Sequence, residues 1–141
     1  MSPTDLPRIV FDTNALISAA ILPNSVSRQA LLHIPSRYQL VHSIETWWEL
    51  TSVIQRSKFD RYFPSEGRAE FLMLLARISK FVEVSTVVTD CPDPKDNKFL
   101  ALACDAHAPL IVSGDGHLRN MHPYRGIDIV APAALLRLAN G

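Results

Sequence analysis

The sequence predicts an α/β fold in which a short parallel sheet of four to five strands is covered by helices on both faces. Three observations carry this expectation. Short runs such as Arg8–Phe11 (RIVF) and Leu110–Ser113 (LIVS) are too uniformly apolar to face water on either side. Segments of helical period separate these runs, and strand–crossover–strand alternation builds a parallel sheet. The length of 141 residues suits one core and not two, so a single domain over residues 1–141 is expected.

The elements follow in order. Arg8–Phe11 reads as a buried strand that stops at Asp12. Asn14–Leu22 and Ser27–His33 read as helices, interrupted by Pro23 and Asn24. Tyr38–Val41 is the second strand, and Ser43 then stands as N-cap of a helix reaching about Arg56. On that helix Trp47, Leu50 and Ile54 recur at i, i+3 and i+7. Ser65 opens a helix with the apolar stripe Phe71, Leu74, Leu75 and Ile78, ending near Lys80. The Val-rich stretch Phe81–Val88 is strand-like. Asp93-Pro94 is a cap followed by proline at the first helical position, with the helix continuing to about His107. Leu110–Ser113 and Ile127–Val130 are the last strands, and Ala133–Ala139 is a closing helix.

Composition excludes several classes. No apolar run is long enough to span a bilayer, and Met1–Pro7 lacks the basic and apolar regions of a signal peptide, so the cytoplasm is expected. Cys91 and Cys104 lack metal-ligand spacing and read as free thiols. Formal net charge is zero, which gives no global signature of nucleic-acid binding. Locally, Arg56, Lys58, Arg61, Arg68, Arg77 and Lys80 outnumber Asp60, Glu66 and Glu70, a pattern that a solvated helical face explains.

The acids are more informative. In an open parallel sheet, sites form beyond the carboxyl ends of the strands. Asp12 terminates the first strand, Asp115 follows LIVS within Ser113-Gly114-Asp115-Gly116, and the helix carrying Glu49 follows the second strand. Asp96 lies in the first turn of the helix that feeds LIVS. Each has an ordinary explanation alone: Asp12 and Asp93 as caps, Glu49 as a surface residue, Asp96 as a dipole partner, Asp115 as a turn residue. Their joint placement on one sheet edge is what points to chemistry.

Clustered carboxylates need compensation, since two like charges about 4 Å apart repel by about 4 kcal/mol at an effective dielectric of 20. Such a site protonates or binds cations. Oxygen ligands without His or Cys favour Mg²⁺ or Mn²⁺, ions that engage phosphates and activate water for phosphodiester hydrolysis.

Val10-Phe11-Asp12-Thr13-Asn14-Ala15-Leu16-Ile17-Ser18 closely resembles the opening motif of the PIN-domain nucleases. Ser43 through Glu49-Leu50 resembles their second motif, Asp93-Pro94-Lys95-Asp96-Asn97-Lys98-Phe99-Leu100 their third, and Val112-Ser113-Gly114-Asp115 their fourth. The matches keep the family's order and run from residue 8 to about 138, where Val130-Ala131-Pro132-Ala133 resembles the last strand-to-helix step. The resemblance implies a PIN-like three-layer sandwich and metal-dependent endoribonuclease activity, in particular that of a VapC-like toxin held inactive by a cognate antitoxin protein. It implies Asp12, Glu49, Asp96 and Asp115 as catalytic acids holding Mg²⁺ or Mn²⁺, with Asn14, Ser113 and Asp93 in support. Gly116-His117 stands where many members carry Lys or Asp, which removes a basic phosphate contact at that point.

An RNA substrate would need basic side chains beside the acids, and the candidates are Arg56, Lys58, Arg61, Lys95 and Lys98. The stripe of Phe71, Leu74, Leu75 and Ile78 can serve a homodimer or simply core packing. The competing readings are weaker. A haloacid-dehalogenase-type phosphatase needs a second Asp two residues after the first, where Asn14 stands. A receiver domain needs a Lys after its final strand, where Ala131-Pro132 stands. A degenerate PIN module binding RNA or protein without cleavage would gain nothing from repelling carboxylates.

Overall fold

The computed structural model describes residues 5–140; of the N-terminal stretch read for a leader, Met1–Thr4 lie outside the described residues. Five strands form one wholly parallel sheet, β1 (Arg8–Phe11), β2 (Gln39–His42), β3 (Ser79–Phe81), β4 (Leu110–Val112) and β5 (Asp128–Val130), in the order β3-β2-β1-β4-β5. The chain runs outward from β1 to one edge, then crosses back to start again on the other side of β1. The loops after β1 and β4 therefore diverge, opening a crevice at the carboxyl ends of these strands.

Side-chain alternation sorts the strand residues between two cores. Ile9, Phe11, Leu40, Leu110 and Val112 point to one face, packed with Leu16, Leu50, Ile54, Leu75 and Leu135. Those partners come from α1 (Thr13–Ile21), α4 (Ile44–Ile54), α5 (Ser65–Ile78) and α8 (Pro132–Asn140). Val10, Val41, Ile111 and Ile129 point to the other, against Phe99, Leu100, Leu102 and Ala103 of α6 (Asn97–Ala106) and Val88. The three-layer sandwich is complete. No helix among the described residues is long and apolar enough to cross a membrane.

Several expectations need correction. Phe81–Val88 is not a strand: pairing ends at Phe81, and the chain beyond is extended but irregular. Its backbone N–H groups at Ser85 and Thr86 donate to the Asp105 side chain instead of to a neighbouring strand. The second helix, α2, spans Val26–Leu32, one residue earlier at each end than read from the sequence, and is capped by Ser25, whose hydroxyl accepts from Arg28 N at 3.1 Å. Two short helices, α3 (Ile34–Arg37) and α7 (Gly116–Arg119), have no counterpart in the sequence reading. The stripe on α5 is only partly internal, since Leu75 is buried while Leu74 is exposed. Arg68 is buried rather than solvated, donating to Phe63 O at 2.7 Å and to Asp60 Oδ1 at 2.9 Å. Cys91 and Cys104 are free thiols, the first buried and the second half-buried.

Candidate active site

Asp12 closes the RIVF strand: its backbone N–H still donates to Val112 O at 2.9 Å, while its side chain caps α1. Its Oδ1 accepts from Ala15 N at 2.8 Å and from Gly114 N at 3.3 Å, and its Oδ2 from the Ser113 hydroxyl at 2.6 Å. Ser113 in turn accepts from Asp115 N at 2.9 Å. One hydroxyl thus ties the end of β1 to the turn after β4, and with it Asp12 to Asp115. Asp12 is buried, and burial pushes its carboxyl above the usual carboxylate range despite these donors.

The third motif approaches from the next element. Asp93 caps a 3-10 turn (Pro94–Asp96), accepting from Lys95 N at 3.1 Å, and α6 follows. Asn97 holds the entry to this turn by accepting from Cys91 N at 2.8 Å. Asp93, Asp96 and Asp115 each present a carboxylate oxygen within 4.8 Å of the others. Asp96 is 8% exposed and its Oδ2 has no partner, one of few such buried atoms among the described residues. Burial, a hydrogen bond shared with Asp115 and the charges of its neighbours push Asp96 up to about 7. The same shared proton and the His117 backbone N–H hold Asp115 below its ordinary value.

An oxygen-only trio with one orphaned, desolvated carboxylate oxygen fits a hard divalent cation, which would supply the missing partner and relieve the repulsion. Asp93, read from sequence mainly as a cap, belongs to this trio. Asp12 and Glu49 lie outside it. Glu49 Oε2 accepts from the Thr13 hydroxyl at 3.0 Å and pairs with Lys98 Nζ at 3.2 Å.

A cleft of about 530 Å³ exposes the trio to solvent, lined also by Thr13, Asn14, Glu49 and Trp48. Of the basic candidates, Arg56, Lys58, Lys95 and Lys98 line it, and Arg61 does not. Asn14 stands exposed at the rim, and the hydrogen bond that orients a carboxylate there comes from Thr13. Sequence reasoning missed Thr13, Asn97 and the Glu49–Lys98 pair. The residues of motifs one, two and three meet only in space, so no spacing could have joined them.

Residues 8–117 match the sequence profile of the PIN domain. The chain belongs to the PIN-domain family. Among curated proteins, this PIN domain is 29% identical over 113 residues to the uncharacterized protein MJ1680 of Methanocaldococcus jannaschii, covering 79% of this chain and 72% of that one. Among solved structures it superposes on PAE2754 from Pyrobaculum aerophilum with a TM-score of 0.63 at 14% identity, covering both chains fully. It also superposes on the structure of VapBC2 from Rickettsia felis bound to a promoter DNA fragment, with a TM-score of 0.58 at 11% identity, over 86% of this chain and 96% of that one. At these identities the two structures share the fold.

Proposed function

We propose that this PIN domain is an Mg²⁺- or Mn²⁺-dependent endoribonuclease, acting in the cytoplasm as the toxin of a toxin–antitoxin pair. PIN domains are generally nucleases, and the observation that carries the reading is the Asp93–Asp96–Asp115 trio with its orphaned Asp96 oxygen. A divalent ion held there would supply Lewis-acid polarisation of a phosphodiester and would make water a competent nucleophile near neutral pH. Asp93, Asp96 and Asp115 would hold it, while Ser113 fixes the Asp12 side chain and Thr13 hydrogen-bonds Glu49 in the same site. Water adds to phosphorus as one P–O ester bond breaks; its proton leaves to a carboxylate, and the departing oxygen takes one from solvent.

The cleft also suits a single strand of RNA. Arg56, Lys58 and Lys95 line it for phosphates, and Trp48, 72% exposed at the rim, offers a face for base stacking. Next to it runs a more apolar groove of about 890 Å³ that includes Ile44, Phe81 and Val87 and shares Glu45, Trp48 and Lys98 with the cleft. An antitoxin presenting an apolar segment with a basic side chain would cover groove and carboxylates together. Support for that partner comes from the VapC-like motifs and from the fold shared with the VapBC2 structure. A second copy would pack against the outer face of α5, where Met73 and Leu74 are exposed.

The test is to express the chain alone and with its neighbouring gene, and to assay the purified protein on RNA with Mg²⁺ or with chelator. Growth arrest and metal-dependent cleavage by the wild type, both lost in Asp96→Asn, are the expected results. Intact RNA with wild type and variant alike would return the protein to a binding role.

A further inference from the structure

We propose that Lys98 is a catalytic residue that takes the place of a second cation: its ammonium neutralises Glu49 and contacts the scissile phosphate, leaving the centre a one-ion site. This deepens the nuclease reading and rests on it.

Lysine heads are almost always left in water. The Lys98 side chain is only 13% exposed, at the second position of α6, and its ammonium is 3.2 Å from Glu49 Oε2 on α4. The same ammonium donates to the Lys95 carbonyl. An ammonium carries three donors, so these two oxygen partners leave one, with the Phe99 ring centroid 5.6 Å from the ammonium. Lys98 lines the same cleft as the trio, and a phosphate bound at the acids would take that third donor.

The carboxylates differ in how far protein donors occupy them, and within the trio Asp93 and Asp115 each give one oxygen to a backbone N–H, of Lys95 and His117. In the trio, Asp96 Oδ2 is buried and has no partner. Outside it, among the described residues, protein donors reach both oxygens of Asp12 but only Oε2 of Glu49. Asp12 accepts on both oxygens, from Ala15, Gly114 and Ser113. Glu49 Oε2 takes both Thr13 and Lys98. A second divalent ion on Glu49 would lie against an ammonium already at contact distance, and like charges at such range exclude each other. The positive charge that a second ion would bring to the phosphate is instead built into the chain. As the water oxygen bonds to phosphorus and the ester P–O bond breaks, negative charge gathers on the non-bridging oxygens, and the free Lys98 donor meets it.

The experiment titrates Mn²⁺ into the purified protein, counting bound ions from the loss of the free-ion paramagnetic signal, with cleavage rates measured in parallel. Wild type is expected to bind one Mn²⁺ per chain. Glu49→Gln should still bind one, because Glu49 is paired with Lys98 and not with the ion. Lys98→Met should expose Glu49 to a second, weaker Mn²⁺ and cleave about a hundredfold more slowly, the usual cost of removing one donor to a developing charge. Lys98→Arg should keep the one-ion stoichiometry and restore most of the rate. Two ions bound to wild type, loss of the ion in Glu49→Gln, or a full rate in folded Lys98→Met would each overturn the proposal. Absence of both Mn²⁺ binding and RNA cleavage in wild type would overturn the nuclease reading itself, and this one with it.

Discussion

Ser113 and Asp12 lie 101 residues apart in sequence, and the serine hydroxyl donates to Asp12 Oδ2 at 2.6 Å with both residues buried. The bond fixes the position of the first acid relative to the turn that carries Asp115. Ser113→Ala removes the donor without opening much space, and leaves a desolvated carboxylate oxygen unpartnered. Chemical denaturation should show a loss of about 1–3 kcal/mol. An unchanged midpoint would mean that water replaces the hydroxyl and that the bond does not position Asp12.

Asp96 makes metal-free stability depend on pH. Its folded value near 7 lies above the ordinary 3.8, so the folded state binds more protons than the unfolded between those values. The stabilising contribution is full below about pH 4 and is lost as pH rises towards 7. Metal-free wild type should therefore gain stability from Asp96→Asn at about pH 8, and Mg²⁺ should raise the melting temperature of wild type more there than at about pH 5. In the variant the Mg²⁺ effect should shrink sharply. A metal response in Asp96→Asn equal to that of wild type would remove Asp96 from the ligand set.

His42 acts in the opposite direction. It is buried at the end of β2 between Trp47 and Phe81, at ring distances of 5.1 and 6.0 Å, and its Nε2 has no partner. Burial lowers it to about 4 from 6.5, so the unfolded chain takes up the proton first and stability falls as pH drops through that window. His42→Leu should flatten this acid-side loss. The two windows overlap, and the single variants separate them. A steep loss between about pH 6 and 4 that persists in His42→Leu would assign the effect elsewhere.

Asp12 was legible because an apolar run halted by an acid is a local signal, Asp115 because it follows the halt of LIVS at Gly114, and Asp96 because Asp93-Pro94 marks a helix start just before it. The segment after Phe81 misled for a physical reason. Its alternation is real, with Val82, Val84 and Thr86 less exposed than Glu83, Ser85 and Val87, so the side chains read as a strand. Hydrogen bonding decides the matter, and the Asp105 carboxylate takes the N–H groups of Ser85 and Thr86. Glu49 and Lys98 sit on different helices, and nothing in either local sequence names the other. Arg68 reads as one more surface cation until the loop that carries its acceptors folds over it.

That loop yields a further prediction. Arg68 ties α5 to the Ser57–Phe63 segment through Phe63 O and the exposed carboxylate of Asp60. Arg68→Met keeps much of the volume and removes both bonds, and should cost about 1–3 kcal/mol. Asp60→Asn, which alters only the exposed partner, should cost less than about 1 kcal/mol. Equal losses from the two would show the ion pair, and not the carbonyl, to be the tie.

A chain of zero formal net charge needs local cations to hold RNA, the substrate proposed for it. Lys98, whose charge Glu49 balances, adds no net cation, and the other cations lining the cleft are Arg56, Lys58 and Lys95. Three phosphate contacts to a single strand release few counterions, so the logarithm of kcat/KM should fall with the logarithm of salt with a slope of about −2. The double variant Arg56→Ala, Lys58→Ala should bring that slope closer to zero by about 1.4, and should weaken binding to all sequences alike. Arg61→Ala, at a residue outside the cleft lining, should leave the slope where it is. A slope unchanged in the double variant but reduced by Arg61→Ala would place the RNA on a different path across the surface, past the turn at Ser57–Phe59 and away from Lys95.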